Sequence, residues 1–357
     1  MIAVTGGGTG GHIFPAASVI EELQRRGVKE ICWIGERSGK ERVWAESLGV
    51  EYFGIRTGKL RRYLSFRNLV DAFSVLIGIV QAHRILKRVH PAVLFSKGGF
   101  VSVPPAIAAK RLHIPVVTHE SDIHPGLATK IIARAASVIC VSFEKAEASF
   151  KGKRVEYTGN PIREIVRSAD RDRGARFLDF KETLPVVMVL GGSLGASSLN
   201  RAVRELCKEG ELAFNLVHQC GRGNGGQGCV PHPRYRLYEF IEEEIGDVLA
   251  ASDLIISRAG AGALYEIAFL GKPSILIPLP RSKSRGEQID NARYFQEHGA
   301  ACLIEDERLN GSILGSTVTG LLQDPVRLKE MGARASKLVR IDAQKRIADI
   351  LLGITGD

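Results

Sequence analysis

A chain of 357 residues is long enough for two domains that each bury a core, and 45% hydrophobic against 25% charged residues excludes a disordered chain. Lys and Arg number 49 against 39 Asp and Glu; the balance of +10 points to an anionic partner, whether nucleic acid, a phosphorylated ligand or an acidic membrane surface. The six cysteines, at positions 32, 140, 207, 220, 229 and 302, form no C-x-x-C pair, so reduced thiols and no metal are expected, with Cys229 and His232 too few for a closed site. The N-terminus opens directly on a strand pattern with no basic and apolar leader, which reads as a chain that stays in the cytoplasm.

Ile2-Ala3-Val4-Thr5 reads as a buried first strand. A turn with five glycines between Gly6 and Gly11 follows, and a helix is expected from Pro15-Ala16-Ala17, its apolar side running through Val19, Ile20 and Leu23. Glycines let backbone N–H groups approach an anion, and a helix start adds partial positive charge, so phosphate is the expected guest. Formally Gly6, Gly8 and Gly11 also satisfy G-x-G-x-x-G, and Glu36 after a second strand (30–35) stands where a dinucleotide's ribose acid would be. That supports a nicotinamide-dependent oxidoreductase as an alternative.

A third strand is expected at 51–55, after a helical segment through Val43, Trp44 and Leu48. From Tyr52 to Val70 there is no acidic residue, while Arg56, Lys59, Arg61, Arg62 and Arg67 are interleaved with Tyr63, Leu64 and Phe66. Leu69, Phe73, Leu76 and Val80 then fall on one helical stripe, with His83, Arg84, Lys87 and Arg88 behind them. Two readings stand: a core-facing helix with a solvated basic end, or an interfacial patch for anionic lipid. The stretch Leu69 to Val80 contains Asp71 and Ser74 and falls short of the ~20 residues a spanning helix needs.

Strands at 92–96, 115–118 and 137–142 follow. The first ends in Lys97-Gly98-Gly99-Phe100, a second glycine turn, and the second runs into His119-Glu120-Ser121-Asp122. With His12, these chemistry-bearing residues all follow strands of one expected parallel sheet, the place where open α/β sheets bind ligands. Thr158-Gly159-Asn160-Pro161-Ile162-Arg163 closes this half. The charged segment that follows reads as a linker and surface helix; its Asp170-Arg171-Asp172 mimics a metal-holding D-x-D, but no apolar strand precedes it and arginines flank it.

The opening device is then repeated. A strand at 185–190 leads into Gly191-Gly192-Ser193-Leu194-Gly195 and a helix from about Leu199, so a second nucleotide-binding domain is expected, its phosphate-binding end facing the same cleft as the first. Further strands are expected at 213–219, 235–241, 253–257 and 274–278. Arg258-Ala259-Gly260-Ala261-Gly262 turns into a helix that places Glu266 in its first turn, where a carboxylate accepts from a ribose diol; a favourable helix-start charge is the plainer alternative. Gln288 and Asn291 lie on the early turns of another helix. The terminal helix, 341–352, is expected to pack back on the first domain.

In this order and spacing, Gly6 to His12 with Phe14-Pro15, Lys97 to Pro104, His119-Glu120, Gly159 to Arg163, Gly191 to Ala196, Arg258 to Glu266 and Gln288 with Asn291 resemble the MurG family of peptidoglycan glycosyltransferases. The likeness covers nearly the whole chain. It implies the two-domain GT-B fold, α/β with two Rossmann-like domains facing a cleft: an acceptor and membrane-associating domain at 1–160 with the terminal helix 341–357, and a UDP-GlcNAc-binding domain at 161–340. It implies inverting transfer of N-acetylglucosamine to the 4-hydroxyl of undecaprenyl-pyrophosphoryl-N-acetylmuramoyl-pentapeptide, with no cofactor and no essential metal, at the cytoplasmic face of the cell membrane. By the same resemblance Thr9, Gly10, Gly11 and His12 with Gly98 and Gly99 take the acceptor diphosphate. The backbone of Ile241 reads uracil and Glu266 the ribose; Ser193 with its glycine loop and Arg163 belong to the diphosphate region, Gln288 to the sugar, and Arg258 is a further substrate-binding residue. His12 is the first choice of base, because imidazole titrates near neutrality, Asp122 the second, and Glu120 stands beside them. The chain departs from the family where Ser121-Asp122 replaces Gln-Asn, which adds an acid. A synthase using another UDP-sugar is the near alternative. No nucleic-acid partner is expected, since no aromatic-basic recognition module appears.

Overall fold

The computed structural model describes residues 1–58, 66–192, 194–208, 212–225 and 232–356, with backbone alone for 66–72. Ser193, Lys59, Arg61 and Arg62, and the side chains of Arg67 and Leu69, therefore lie outside the described residues. The chain divides into two compact units, Met1–Ile162 with Arg340–Asp357, and Arg163–Val339.

In the first unit β1 (Ile2–Thr5), β2 (Ile31–Glu36), β3 (Glu51–Ile55), β4 (Val93–Ser96), β5 (Val116–Glu120), β6 (Val138–Val141) and β7 (Val155–Tyr157) form one sheet. Its order is β3-β2-β1-β4-β5-β6-β7, with every pair parallel. Strand side chains alternate between two cores: Ile2, Val4, Trp33 and Phe95 enter one, Ala3, Cys32, Ile34 and Leu94 the other. Burial on both faces is why these strands read as unbroken apolar runs. Helix Ala343–Thr355 closes one face, its Ile347, Ala348 and Leu351 buried in the core of Ile2 and Val4, with Arg26 bonding Asp349 at 2.5 Å.

The second unit repeats the plan with β8 (Val186–Leu190), β9 (Asn215–Gln219), β10 (Tyr235–Tyr238), β11 (Leu254–Ser257), β12 (Ser274–Leu276) and β13 (Cys302–Leu303), in the order β10-β9-β8-β11-β12-β13, again parallel throughout. In each sheet the strand order reverses once, between β1 and β4 and between β8 and β11. A crevice opens outside the strand ends at such a point, so the topology selects the loops after these four strands as the ligand-binding ones.

Three local expectations are corrected. The first helix spans Gly10–Arg25, five residues earlier than Pro15: the Thr9 carbonyl accepts from His12 and Ile13 N–H at 3.0 and 3.1 Å, and Pro15 sits inside the helix, where its missing N–H leaves one ladder bond unmade. His119 and Glu120 are the last residues of β5 rather than of the loop after it, because β5 stays in register with β6 as far as Glu120 and Val141. The stripe on helix Phe66–Val89 does not face the core. Phe73, Leu76 and Val80 are 66%, 59% and 50% exposed, and it is Ile79, Ala82 and Leu86 on the other side that are buried.

Candidate functional site

In the first unit the two glycine turns meet. Gly8 turns the chain with φ +85°, and Gly98 and Gly99 do so at +87° and +78°, the left-handed region that a side chain disfavours. A Cβ on Gly99 would stand 2.9 Å from Cδ2 of His12, so the imidazole rests directly on the second turn. Its Nδ1 lies 3.3 Å from the Lys97 carbonyl. A carbonyl only accepts, so Nδ1 carries the hydrogen and Nε2 keeps the lone pair that a general base needs.

His119 is 1% exposed and donates from Nε2 to the Gly159 carbonyl at 2.8 Å. Burial holds its pKa well below the ordinary 6.5, and Lys97 pushes the same way, so this histidine is neutral and structural. Glu120 is spent locally: Oε1 accepts the Asp122 N–H at 3.0 Å and Oε2 the Gly126 N–H at 3.2 Å, which shapes the loop presenting half-buried Asp122. Thr9 and Gly11 are exposed at the helix start, and a Cβ on Gly11 would meet nothing closer than Thr9 Oγ1 at 3.9 Å. Gly10, beside them, lies against the ring of Phe14.

In the second unit the loop after β11 enters helix Ala261–Phe269, and Glu266 lies in its second turn, not its first. That removes the helix-start charge as the reason for an acid here. Glu266 is 9% exposed and takes a two-pronged ion pair from Arg163, Nε to Oε1 at 2.6 Å and Nη2 to Oε2 at 2.7 Å. Two residues far apart in the chain and expected at one diphosphate-ribose site are thus joined directly. Arg258 is committed inward: it donates to Asp306 at 2.6 Å, to Ser198 at 2.7 Å and to the Ile277 carbonyl at 3.0 Å. It braces the two loops at the switch point. The Ile241 N–H donates to Gln219 Oε1 at 3.0 Å, and Gln288 Oε1 accepts from Leu279 N–H at 3.1 Å. Asn291, fully buried, ties its helix to the Ala259 carbonyl at 3.2 Å.

Gly260 and Gly262 have room to spare. Neither has a positive φ, and a Cβ on either would meet no heavy atom within 4 Å. The fold does not demand glycine there, and the helix start is left open to close approach. The D-x-D has a plainer use, since Asp170 caps helix Arg171–Leu178 by accepting the Arg173 N–H at 2.7 Å.

Sequence reasoning passed over Glu41. It is fully buried, accepts the Glu36 N–H at 2.7 Å and the Gly8 N–H at 3.4 Å, and lies against Gly7. A carboxylate thus stands where a dinucleotide's phosphates would approach Gly7 and Gly8. Its one sequence signal is an acid two residues after Gly39.

Residues 2–141 match the glycosyltransferase family 28 N-terminal domain and residues 186–349 the glycosyltransferase family 28 C-terminal domain. A Treponema pallidum (strain Nichols) protein named UDP-N-acetylglucosamine--N-acetylmuramyl-(pentapeptide) pyrophosphoryl-undecaprenol N-acetylglucosamine transferase is 48% identical over 347 residues, covering 94% of this chain and 90% of its own. A Clostridium perfringens protein of the same name is 42% identical over 320 residues, 90% of this chain and 89% of its own. The crystal structure of Acinetobacter baumannii MurG superposes with a TM-score of 0.77 at 26% identity, covering 99% of both chains.

Proposed function

Since the chain belongs to glycosyltransferase family 28, we propose that its two nucleotide-binding units divide one reaction: transfer of N-acetylglucosamine from UDP-GlcNAc to undecaprenyl-pyrophosphoryl-N-acetylmuramoyl-pentapeptide. The observation that carries this is the 48% identity, over 94% of the chain, to a transferase named for that donor and acceptor. The chain is a UDP-GlcNAc-dependent hexosyltransferase of peptidoglycan synthesis. The oxidoreductase alternative is set aside, and a different UDP-sugar has no support in the names of these relatives.

In our reading the second unit takes the donor. Glu266 accepts from the ribose diol, and Arg163, released from Glu266, meets the diphosphate. Gly260 and Gly262 let the helix start approach the phosphates; Ile241 serves uracil, and Gln288 the sugar. Arg258 acts by holding the loops. The first unit takes the acceptor, its diphosphate at Gly10, Gly11, Gly98 and Gly99, with His12 Nε2 removing the proton of the 4-hydroxyl as the sugar is transferred with inversion. Helix starts and cationic side chains stabilise the departing UDP, so the reaction needs no metal. Asp122 is the second candidate for base.

Among the described residues no helix is long and apolar enough to cross a membrane. The exposed Phe73, Leu76 and Val80, followed along the same helix by His83, Arg84, Lys87 and Arg88, support reversible attachment to an anionic surface, on the cytoplasmic face where the lipid acceptor must be met. The donor assignment is tested by equilibrium titration. UDP-GlcNAc is expected to bind saturably and NAD(H) not at all; the reverse pattern overturns the reading.

A further inference from the structure

Lys97 is the most deeply buried cation among the described residues, 1% exposed, and nothing in the division of roles above uses it. Burying an ammonium is costly unless it is paired and hydrogen-bonded, so its surroundings are informative. Nζ donates to Ser121 Oγ at 2.5 Å; Ser121 in turn donates to Asn160 Oδ1 at 3.2 Å, and Ser142 reaches the same oxygen at 3.5 Å. The Gly159-Asn160 motif thereby acquires a structural role, since Asn160 ends the chain that begins at Lys97, while the Gly159 carbonyl holds His119. The charged groups that act on Lys97 are Glu120 and Asp122, one structural and one presented by the adjoining loop. On its backbone side, Lys97 offers its carbonyl to Nδ1 of His12 and packs its Cβ against Gly6.

Resting on the transfer reaction above, we infer that Lys97 is the positioning residue of the acceptor half-site. Its carbonyl sets the His12 tautomer, and its ammonium, through Ser121 and Asn160, holds the Asp122 loop and balances the added acid. The Ser121-Asp122 departure then has a physical reason. A hydroxyl fits between a buried lysine and Asn160, and the extra carboxylate has its counter-charge within the same unit.

Burial pushes the Lys97 ammonium down to about 8, against the opposing pull of Glu120 and Asp122. The cation is therefore present below that pH and lost above it. His12, His119, Glu120 and Asp122 are the titratable groups around it, and with His119 held neutral the remaining charges to balance are those of the two carboxylates.

The test is Lys97→Met in the full chain, a side chain of similar length without the charge. Removing one partner of a buried charge set leaves Ser121 and the two carboxylates without their cation, so the variant's Tm is expected to fall, while UDP-GlcNAc affinity, which belongs to the other unit, is expected to stay at the parent's value. The kcat for label transfer to the muramoyl lipid is expected to fall roughly tenfold, less than loss of the base itself, because the backbone carbonyl that holds His12 stays in place while the Asp122 loop loses its anchor and counter-charge. In the parent, kcat should decline above about pH 8; in the variant that limb should be gone. Should Lys97→Met fail to fold, Ser121→Ala cuts the same chain while keeping the charge, and a several-fold loss of kcat is expected with donor affinity intact. A folded variant with the parent's kcat and alkaline limb overturns the assignment. A parent that transfers no label overturns the reaction itself, and with it this role.

Discussion

Replacing Gly262 with alanine separates what the fold needs from what the ligand needs. Gly262 is the second residue of helix Ala261–Phe269, has no positive φ, and leaves an added Cβ with no heavy atom within 4 Å. The apoprotein should therefore gain: alanine is favoured over glycine in a helix and loses less backbone freedom on folding, by about 0.4–1 kcal/mol. For a unit of this size that is a rise in Tm of roughly 1–4 °C. The donor should lose. A methyl group at the helix start holds a phosphate off the backbone N–H groups, and a charge-assisted hydrogen bond is worth about 1.5–3 kcal/mol. Converted to affinity, that is a loss of roughly 10- to 150-fold in Kd for UDP-GlcNAc. Calorimetry measures both on one sample, unfolding by scanning and donor binding by titration. A variant that is stabilised yet binds UDP-GlcNAc as tightly as the parent would refute the placing of the diphosphate at this helix.

Glu266→Ala should weaken donor binding by a similar 1.5–3 kcal/mol, read by titration with UDP, since it removes a charge-assisted contact to the ribose; unchanged affinity in a folded protein would leave Glu266 as no more than the partner of Arg163. Phe73→Ser with Leu76→Ser should leave Tm unchanged, because these side chains are 66% and 59% exposed, and should lower sedimentation with anionic vesicles roughly tenfold or more. Equal sedimentation of variant and parent would remove this stripe from the membrane face. Burial lowers the pKa of His218 from 6.5 to about 4, so the unfolded chain binds a proton that the native one refuses; stability is whole above about pH 6.5 and falls by roughly 3 kcal/mol as pH drops to 4. Urea titrations of the parent and His218→Gln across that range should diverge, with the variant the flatter.

The repeated plan of strand, glycine turn and helix was legible in the chain because each sheet is covered on both faces, which makes its inner strands continuous apolar runs bounded by glycine. The edge strands β7 and β13 were not, since three and two residues carry no periodicity. Pro15 misled the helix start for a different reason: the capping carbonyl belongs to Thr9, and glycines at the first two helical positions look like turn rather than helix. Of the site, residue types and order were legible. What side chains do to one another across the sheet was not. That Glu266 pairs with Arg163, that Arg258 turns inward to Asp306, and that Glu120 ties off its own loop all depend on distances between residues that the chain order separates or disguises. Glu41 and Lys97 escaped because a charged residue beside glycines reads as solvated until its burial is known.

The central claim is tested most directly by incubating the full chain with UDP-GlcNAc labelled in the sugar and undecaprenyl-pyrophosphoryl-N-acetylmuramoyl-pentapeptide, with EDTA throughout, and counting label in the lipid fraction. Label should enter that fraction up to one sugar per acceptor, with UDP released in equal amount and no loss to the chelator. A folded protein that binds UDP-GlcNAc and leaves the lipid unlabelled would contradict the account, and labelling abolished by EDTA and restored by one divalent ion would contradict its metal-free chemistry.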